Sequence, residues 1–264
     1  MDFSHYQQLK VTQDGAVVTV TLTRPEVKNA IGEVLHHELS TIFWDLESDD
    51  SCDVVILTGA DGSFSAGGDL AWVLSMHGDA VAATAAGRDA RRIQNTMLDL
   101  EKPIIAKVRG PAIGLGCSLS LFCDFVYATP NAVFADPHVS VGLVAGDGGA
   151  VIWPQLIGYA RARRYLLTGD PIRGSEAADI GLITEAVPDD QLDEVVAAMA
   201  ARLVNGAKHA IKWTKSSINA GLKVMANSIA DRATAAENLA QMTNDNRIAL
   251  EAFLAKEPPK FTGT

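Results

Sequence analysis

Apolar and polar residues change their spacing several times along the 264-residue chain, and each change predicts a different element. Residues 6–11 (YQQLKV) and 16–23 (AVVTVTLT) are rich in β-branched side chains and read as two strands. Asp14-Gly15 between them is a hairpin signal, since both residues tolerate the positive φ of a tight turn. From Ile31 to Glu47 the period becomes helical, with Ile31, Leu35, Leu39, Ile42, Phe43 and Leu46 on one face. DVVILTG at 53–59 and IIAKVRG at 104–110 are continuous apolar runs, as in strands buried on both faces of a parallel sheet. Residues 79–100 read as a helix, Cys117–Cys123 as a short apolar helix and FVYAT at 125–129 as a strand. From Asp189 onward strands disappear. LDEVVAAMAARLV, the run 207–222 and the run 225–254 all read as helices, and Pro258-Pro259 stops the last one. Strand, turn and helix thus alternate from 53 to 187, which predicts an α/β fold. The expected organisation is an α/β core over 1–200 followed by a helical region over 201–264.

Composition narrows the function. Hydrophobic residues make up 48% and charged residues 20%, an ordinary globular balance. The net charge of -10 argues against a nucleic acid partner, which needs a basic footprint. A small anion is still possible, because backbone amides and a few local cations can hold one. The three cysteines, Cys52, Cys117 and Cys123, are odd in number and widely spaced, which fits a reducing compartment. No CxxC or HExxH pattern suggests a metal site. Residues 1–15 lack a basic start followed by an apolar run, and no apolar stretch is long enough for a bilayer. The expectation is a cytoplasmic protein with no membrane partner.

Chemistry concentrates in three glycine-rich turns that follow strands: 64–70 (FSAGGDL), 110–116 (GPAIGLG) and 142–149 (GLVAGDGG). A strand–turn–helix with free amides at the helix start is an oxyanion or anion site. Gly114-Leu115-Gly116 begins like a dinucleotide-binding GxGxxG, but Leu119 stands at its third glycine. No phosphate loop of the GxxxxGK[ST] form is present either.

Taken together, the order and spacing of these turns resemble the crotonase superfamily, the enoyl-CoA hydratase/isomerase family. The matching segments are Arg24-Pro25 with Asn29-Ala30, then residues 54–70, 102–129, 134–143, 166–187 and 251–261, so the resemblance covers nearly the whole chain. It implies a spiral core of ββα units with C-terminal helices that assemble a homotrimer or a dimer of trimers. It implies an acyl-CoA or other small carbonyl substrate, with coenzyme A as part of that substrate and no separate cofactor. The shared step is formation of a thioester enolate held by two backbone N–H groups, here those of Gly68 and Leu115. The resemblance also places coenzyme A against Arg24, Lys28, Ala30 and Ala66, with Lys260 and Phe261 reaching over from a neighbouring subunit.

The departures from the family pattern carry as much information. Family hydratases hold one water between two glutamates, and this chain has Ser118 and His138 at those positions. A serine hydroxyl is too weak an acid to replace a carboxylate in proton transfer. The paired-glutamate mechanism is therefore not expected, and Ser118 reads as a small residue that enlarges the pocket. His138 can serve as a single base, because imidazole titrates near neutrality. Some relatives place a catalytic aspartate where this chain has Gly146, and here Asp147 follows instead. His138, Asp147 and the following Val151-Ile152-Trp153-Pro154 resemble oxocamphor hydrolase, a relative that cleaves a C–C bond of a cyclic β-diketone by water attack, assisted by a glutamate. Glu237 is the candidate for that glutamate. Three activities stay open: an acyl-CoA hydratase or isomerase, a β-diketone hydrolase, and a non-catalytic assembly subunit. Asp69 reads as a helix cap, Asp124 as structural, and the Ala-rich stretch 80–90 as the cover of the acyl pocket.

Overall fold

The computed structural model describes residues 1–264. Its strands are β1 (Leu9–Asp14), β2 (Val17–Leu22), β3 (Val54–Gly59), β4 (Ile104–Val108), β5 (Pro111–Ile113), β6 (Phe125–Ala128), β7 (Val133–Ala135), β8 (Ile172–Arg173) and β9 (Glu185–Ala186). Its α-helices are α1 (Glu33–Ser48), α2 (Leu70–Ser75), α3 (Ala80–Asp99), α4 (Leu115–Leu121), α5 (Gly149–Thr168), α6 (Gly174–Asp179), α7 (Leu192–Val204), α8 (Lys208–Ala240) and α9 (Asn244–Ala255).

Six strands form one sheet in the order β1-β2-β3-β4-β6-β9. β1 and β2 make the expected antiparallel hairpin, with Leu9 opposite Leu22 and Gly15 at φ +56° in the turn. From β2 onward the pairing is parallel, which is why 54–59 and 104–108 are apolar on both faces. A second sheet of three short strands, β5-β7-β8, stands beside it. Two isolated bridges, Ile31 with Gly68 and Ser65 with Ala112, tie the loops between the layers.

Most predicted elements are present, with corrections. The short apolar helix begins at Leu115, two residues before the expected start. Residues 207–222 and 225–254 do not form two helices divided near 223. α8 runs unbroken through that point, because Leu222-Lys223-Val224-Met225 contains no breaker. The break falls instead at 241–243, where the Thr243 hydroxyl accepts from the Asn246 N–H and caps α9. α5 and the three short strands of the second sheet were not anticipated. α5 carries Pro154 and is interrupted at Gly158 (φ +74°), so its apolar period is broken.

The main core gathers β1–β4, α1, α4 and α5, and it includes Ala226 and Ala230 of α8. A buried lysine helps close it. Lys102 Nζ donates to the carbonyls of Leu46, Glu47 and Asp49 at the C-terminal end of α1. A cation there satisfies carbonyls that lack helical partners. No helix is long and apolar enough to cross a membrane.

Candidate active site

Two of the glycine turns meet edge to edge. Ser65 N–H donates to Pro111 O at 2.8 Å and Ile113 N–H to Ser65 O at 3.0 Å, so the 64–70 turn is stitched to β5. Gly67 sits at φ +89°, and a Cβ there would lie 2.8 Å from Ile113 O, so the approach requires glycine. The next residue, Gly68, has an N–H with no backbone acceptor. Leu115 is the first residue of α4, so its N–H has no intrahelical acceptor either. Gly68 and Leu115 line the same cavity, a space of about 80 Å3.

His138, Asp147 and Glu237 line that cavity too. His138 opens a one-turn 3₁₀ helix after β7, Asp147 lies just before α5, and Glu237 projects from the last turns of α8. Two neighbouring segments and a helix distant in sequence thus deliver one cluster. His138 Nδ1 is 2.5 Å from Asp136 Oδ1, and its Nε2 is 3.3 Å from Asp147 Oδ2 and 4.0 Å from Glu237 Oε1. Ser118 Oγ donates to Asp147 Oδ1 at 3.2 Å, so Ser118 holds the aspartate instead of merely widening the pocket. A Cβ at Gly146 would collide with Glu237 Oε2 and lie 2.9 Å from Ala233 O. The Glu237 carboxyl therefore occupies the space that a side chain at 146 would fill.

The electrostatics of the cluster follow from burial and charge. Burial alone would make the His138 imidazolium unfavourable, but the Asp147 and Asp136 carboxylates on either side outweigh it and hold its pKa well above 6.5. At neutral pH this favours the imidazolium with both nitrogens engaged, the positive form that a buried Asp147 beside it supports, and it disfavours the single-base role. Burial pushes Asp147 upward, but the His138 charge and hydrogen bond, with those of Ser118 and the Gly149 N–H, bring it below 3.8. Glu237 has no such donors. Burial raises it, His138 offsets part of the rise, and Asp147 and Asp136 add to it, leaving it at about 8. One carboxyl is thereby ionised and its neighbour protonated at pH 7, the arrangement that separates base from acid. Donor atoms of Asp136, His138 and Asp147 lie within 4.8 Å of one another, as in a metal triad. A cation bound there would have to displace the proton that the two carboxylates hold on His138.

The other predicted residues are more dispersed. Arg24 donates to Ala30 O at 2.7 Å and pairs with Asp69 Oδ2 at 3.3 Å, so it braces the turn. Asp69 caps α2 by accepting from the Ala71 N–H, as expected. Lys28 is exposed, and its carbonyl accepts from the Ala66 N–H at 2.9 Å beside the buried Ala30. Lys260 and Phe261 lie on a tail anchored by Asp245, which accepts from the Thr262 and Gly263 N–H groups; neither residue lines the His138 cavity. Asp124 accepts from the Ile104 N–H and pairs with Lys215 away from the cavity, a structural position. Ala83, Ala86 and Ala90 of the Ala-rich stretch do line it. Sequence reasoning missed Asp136, whose only signal is its place two residues before His138. It also missed His36, Asn238 and Gln241, which reach the cavity from helices with no motif around them.

Comparison with known proteins agrees with this architecture. The pattern of the enoyl-CoA hydratase/isomerase family matches residues 12–264. A crotonyl-CoA hydratase of Syntrophomonas wolfei is 30% identical over 257 residues, covering 97% of this chain and 98% of that protein. A short-chain-enoyl-CoA hydratase of Clostridium acetobutylicum is 32% identical, covering 92% and 93%. The crystal structure of an enoyl-CoA hydratase/isomerase from Mycobacterium paratuberculosis superposes with a TM-score of 0.89 at 36% identity, covering 92% of this chain and 97% of that one. With a family match across almost the whole chain and the fold shared throughout, the protein belongs to the enoyl-CoA hydratase/isomerase family of the crotonase superfamily and is an enzyme of that family.

Proposed function

We propose that the protein adds water to, or removes it from, an acyl-CoA thioester, using Asp147 and Glu237 in place of the family's two glutamates. The observation that carries this reading is the pair of carboxyls flanking His138 Nε2, one held ionised and one held protonated, in the cavity that Gly68 and Leu115 line. In the hydration direction Asp147 takes a proton from water as its oxygen bonds to C3 of a 2-enoyl thioester. The C2=C3 electrons move onto the thioester carbonyl, whose oxygen lies on the Gly68 and Leu115 amides. One such donor is typically worth about 10²–10³ in rate. Glu237 then gives its proton to C2. His138 passes its Nε2 proton to Glu237 and takes the one on Asp147, which restores the starting state. Coenzyme A runs along the Ala30 and Ala66 backbone, as the family resemblance implies, and Lys28 is the free cation there.

The test is loss of the conjugated thioester absorbance with short and medium trans-2-enoyl-CoA. Turnover that falls at least a hundredfold in both Asp147→Asn and Glu237→Gln supports the reading. Turnover unchanged in either variant refutes it. The direct contact between His138 and Asp147 also favours a second reading, hydrolysis of a β-diketone C–C bond by water that Asp147 deprotonates. Consumption of a cyclic 1,3-diketone with no turnover of any enoyl-CoA would select it.

A further inference from the structure

The lining of the cavity is not uniformly apolar. Trp72, Val73, Met76 and Leu143 contribute apolar surface to it. His36 of α1 and Gln241, at the C-terminal end of α8, line it as well. Both are buried, each only 6% exposed. The Gln241 Oε1 atom has no hydrogen-bond partner in the protein. The His36 ring leans on Trp72, with centroids 5.2 Å apart at 49°, and no hydrogen bond to either nitrogen contributes to its protonation. Buried amides and imidazoles are normally hydrogen-bonded, and these two, on residues that line the same cavity, have no partner within the chain and are open to one from outside it. A hydrocarbon acyl chain would seal them off unpaired.

We propose that the substrate carries a second, uncharged oxygen function, a hydroxyl or carbonyl beyond the reacting carbons, which His36 and Gln241 bind. This rests on reading the cavity as the acyl site. The charge follows from the surroundings. Burial holds His36 down at about 4, so the ring is neutral at pH 7 and offers one donor and one acceptor. The one cation lining the cavity, His138, is already paired with Asp147, so a carboxylate substituent would find no free positive charge there, while a neutral oxygen needs none. A site built to pair a polar group discriminates strongly against the analogue that lacks it, because its own groups are then left unsatisfied.

The experiment is calorimetric binding of three saturated thioesters, which needs no turnover: pentanoyl-CoA, 4-oxopentanoyl-CoA and 5-hydroxypentanoyl-CoA. At least one oxygenated thioester is expected to bind about tenfold or more tightly than pentanoyl-CoA. That preference is expected to fall below about threefold in Gln241→Met and in His36→Phe, and to be partly restored in His36→Gln. The last variant covers the case in which His36→Phe does not fold. Equal or tighter binding of pentanoyl-CoA, or a preference that survives all the variants, overturns the inference while leaving the acyl-CoA reading intact. If none of the three binds at millimolar concentration, the acyl-CoA reading itself fails. Cyclohexane-1,3-dione against cyclohexanone is then the pair to compare, and equal binding of the two overturns the inference.

Discussion

Glu237→Gln should stabilise the protein at alkaline pH while abolishing its activity. Folding moves the Glu237 carboxyl from 4.5 to about 8, mainly through burial. The folded state therefore holds this proton more tightly than the unfolded chain does. Below pH 4.5 both states are protonated and nothing is lost. Between 4.5 and about 8 stability falls as pH rises, and above about 8 the loss is complete. At about 1.4 kcal/mol per pH unit the full cost of ionising Glu237 in the fold is about 5 kcal/mol. The neutral amide of glutamine has nearly the same shape and carries no such cost. Urea unfolding at pH 5 and pH 9 measures the difference. The variant should be within about 1 kcal/mol of the parent at pH 5 and more stable by about 3–5 kcal/mol at pH 9. In the same preparation, hydration of an enoyl-CoA should fall by about 10²–10⁴. A stability gain equal at both pH values, or a loss at pH 9, would mean that Glu237 is not held protonated in the native state, and its role as acid would fall with it.

Other expectations follow from the same geometry. In the parent enzyme, kcat for hydration should decline as pH rises through about 8, where Glu237 loses its proton, and a profile still rising there would contradict its role as donor. Asp147→Asn removes the largest favourable charge beside His138, so the imidazolium proton, followed by NMR, should be released at lower pH than in the parent. Gly67→Ala places a methyl 2.8 Å from Ile113 O at a positive φ and should cost about 2 kcal/mol or more in chemical denaturation, with loss of turnover. Lys102→Ala leaves three carbonyls at the end of α1 without their donor and should lower stability by about 3 kcal/mol or more in the same assay.

The fold was legible because its signals are local. β-branched alternation with Asp14-Gly15 marks the hairpin, and the unbroken apolar runs at 54–59 and 104–108 mark strands buried on both faces. The glycine turns that carry Gly68 and Leu115 to one cavity were legible as turns for a similar reason, since Gly67 and Gly114 sit at positive φ where other residues are strained. The cluster around His138 was only half legible. His138 and Asp147 stand at motif positions, but whether they touch depends on how the 3₁₀ turn meets the start of α5. The single-base reading of His138 missed Asp136, because a carboxylate beside Nδ1 helps raise the imidazole pKa without altering any motif. His36 and Gln241 belong to helices whose periodicity reports only which face is inward. What that face meets is decided by how α2, α3 and α8 close around the cavity, and no local pattern encodes it.

Gly146 and Glu237 compete for one volume, and that exclusion ties the two positions together through sequence change. An aspartate can stand at 146 only if position 237 is small and α8 yields a little at Ala233. The chain can therefore supply this carboxylate from the loop or from the helix, but not from both. Passing from one solution to the other by single substitutions crosses either a crowded intermediate or one without the carboxylate. Gly146→Asp alone should be destabilising, and adding Glu237→Ala should recover part of the loss, an epistasis in which the second change is harmful on its own.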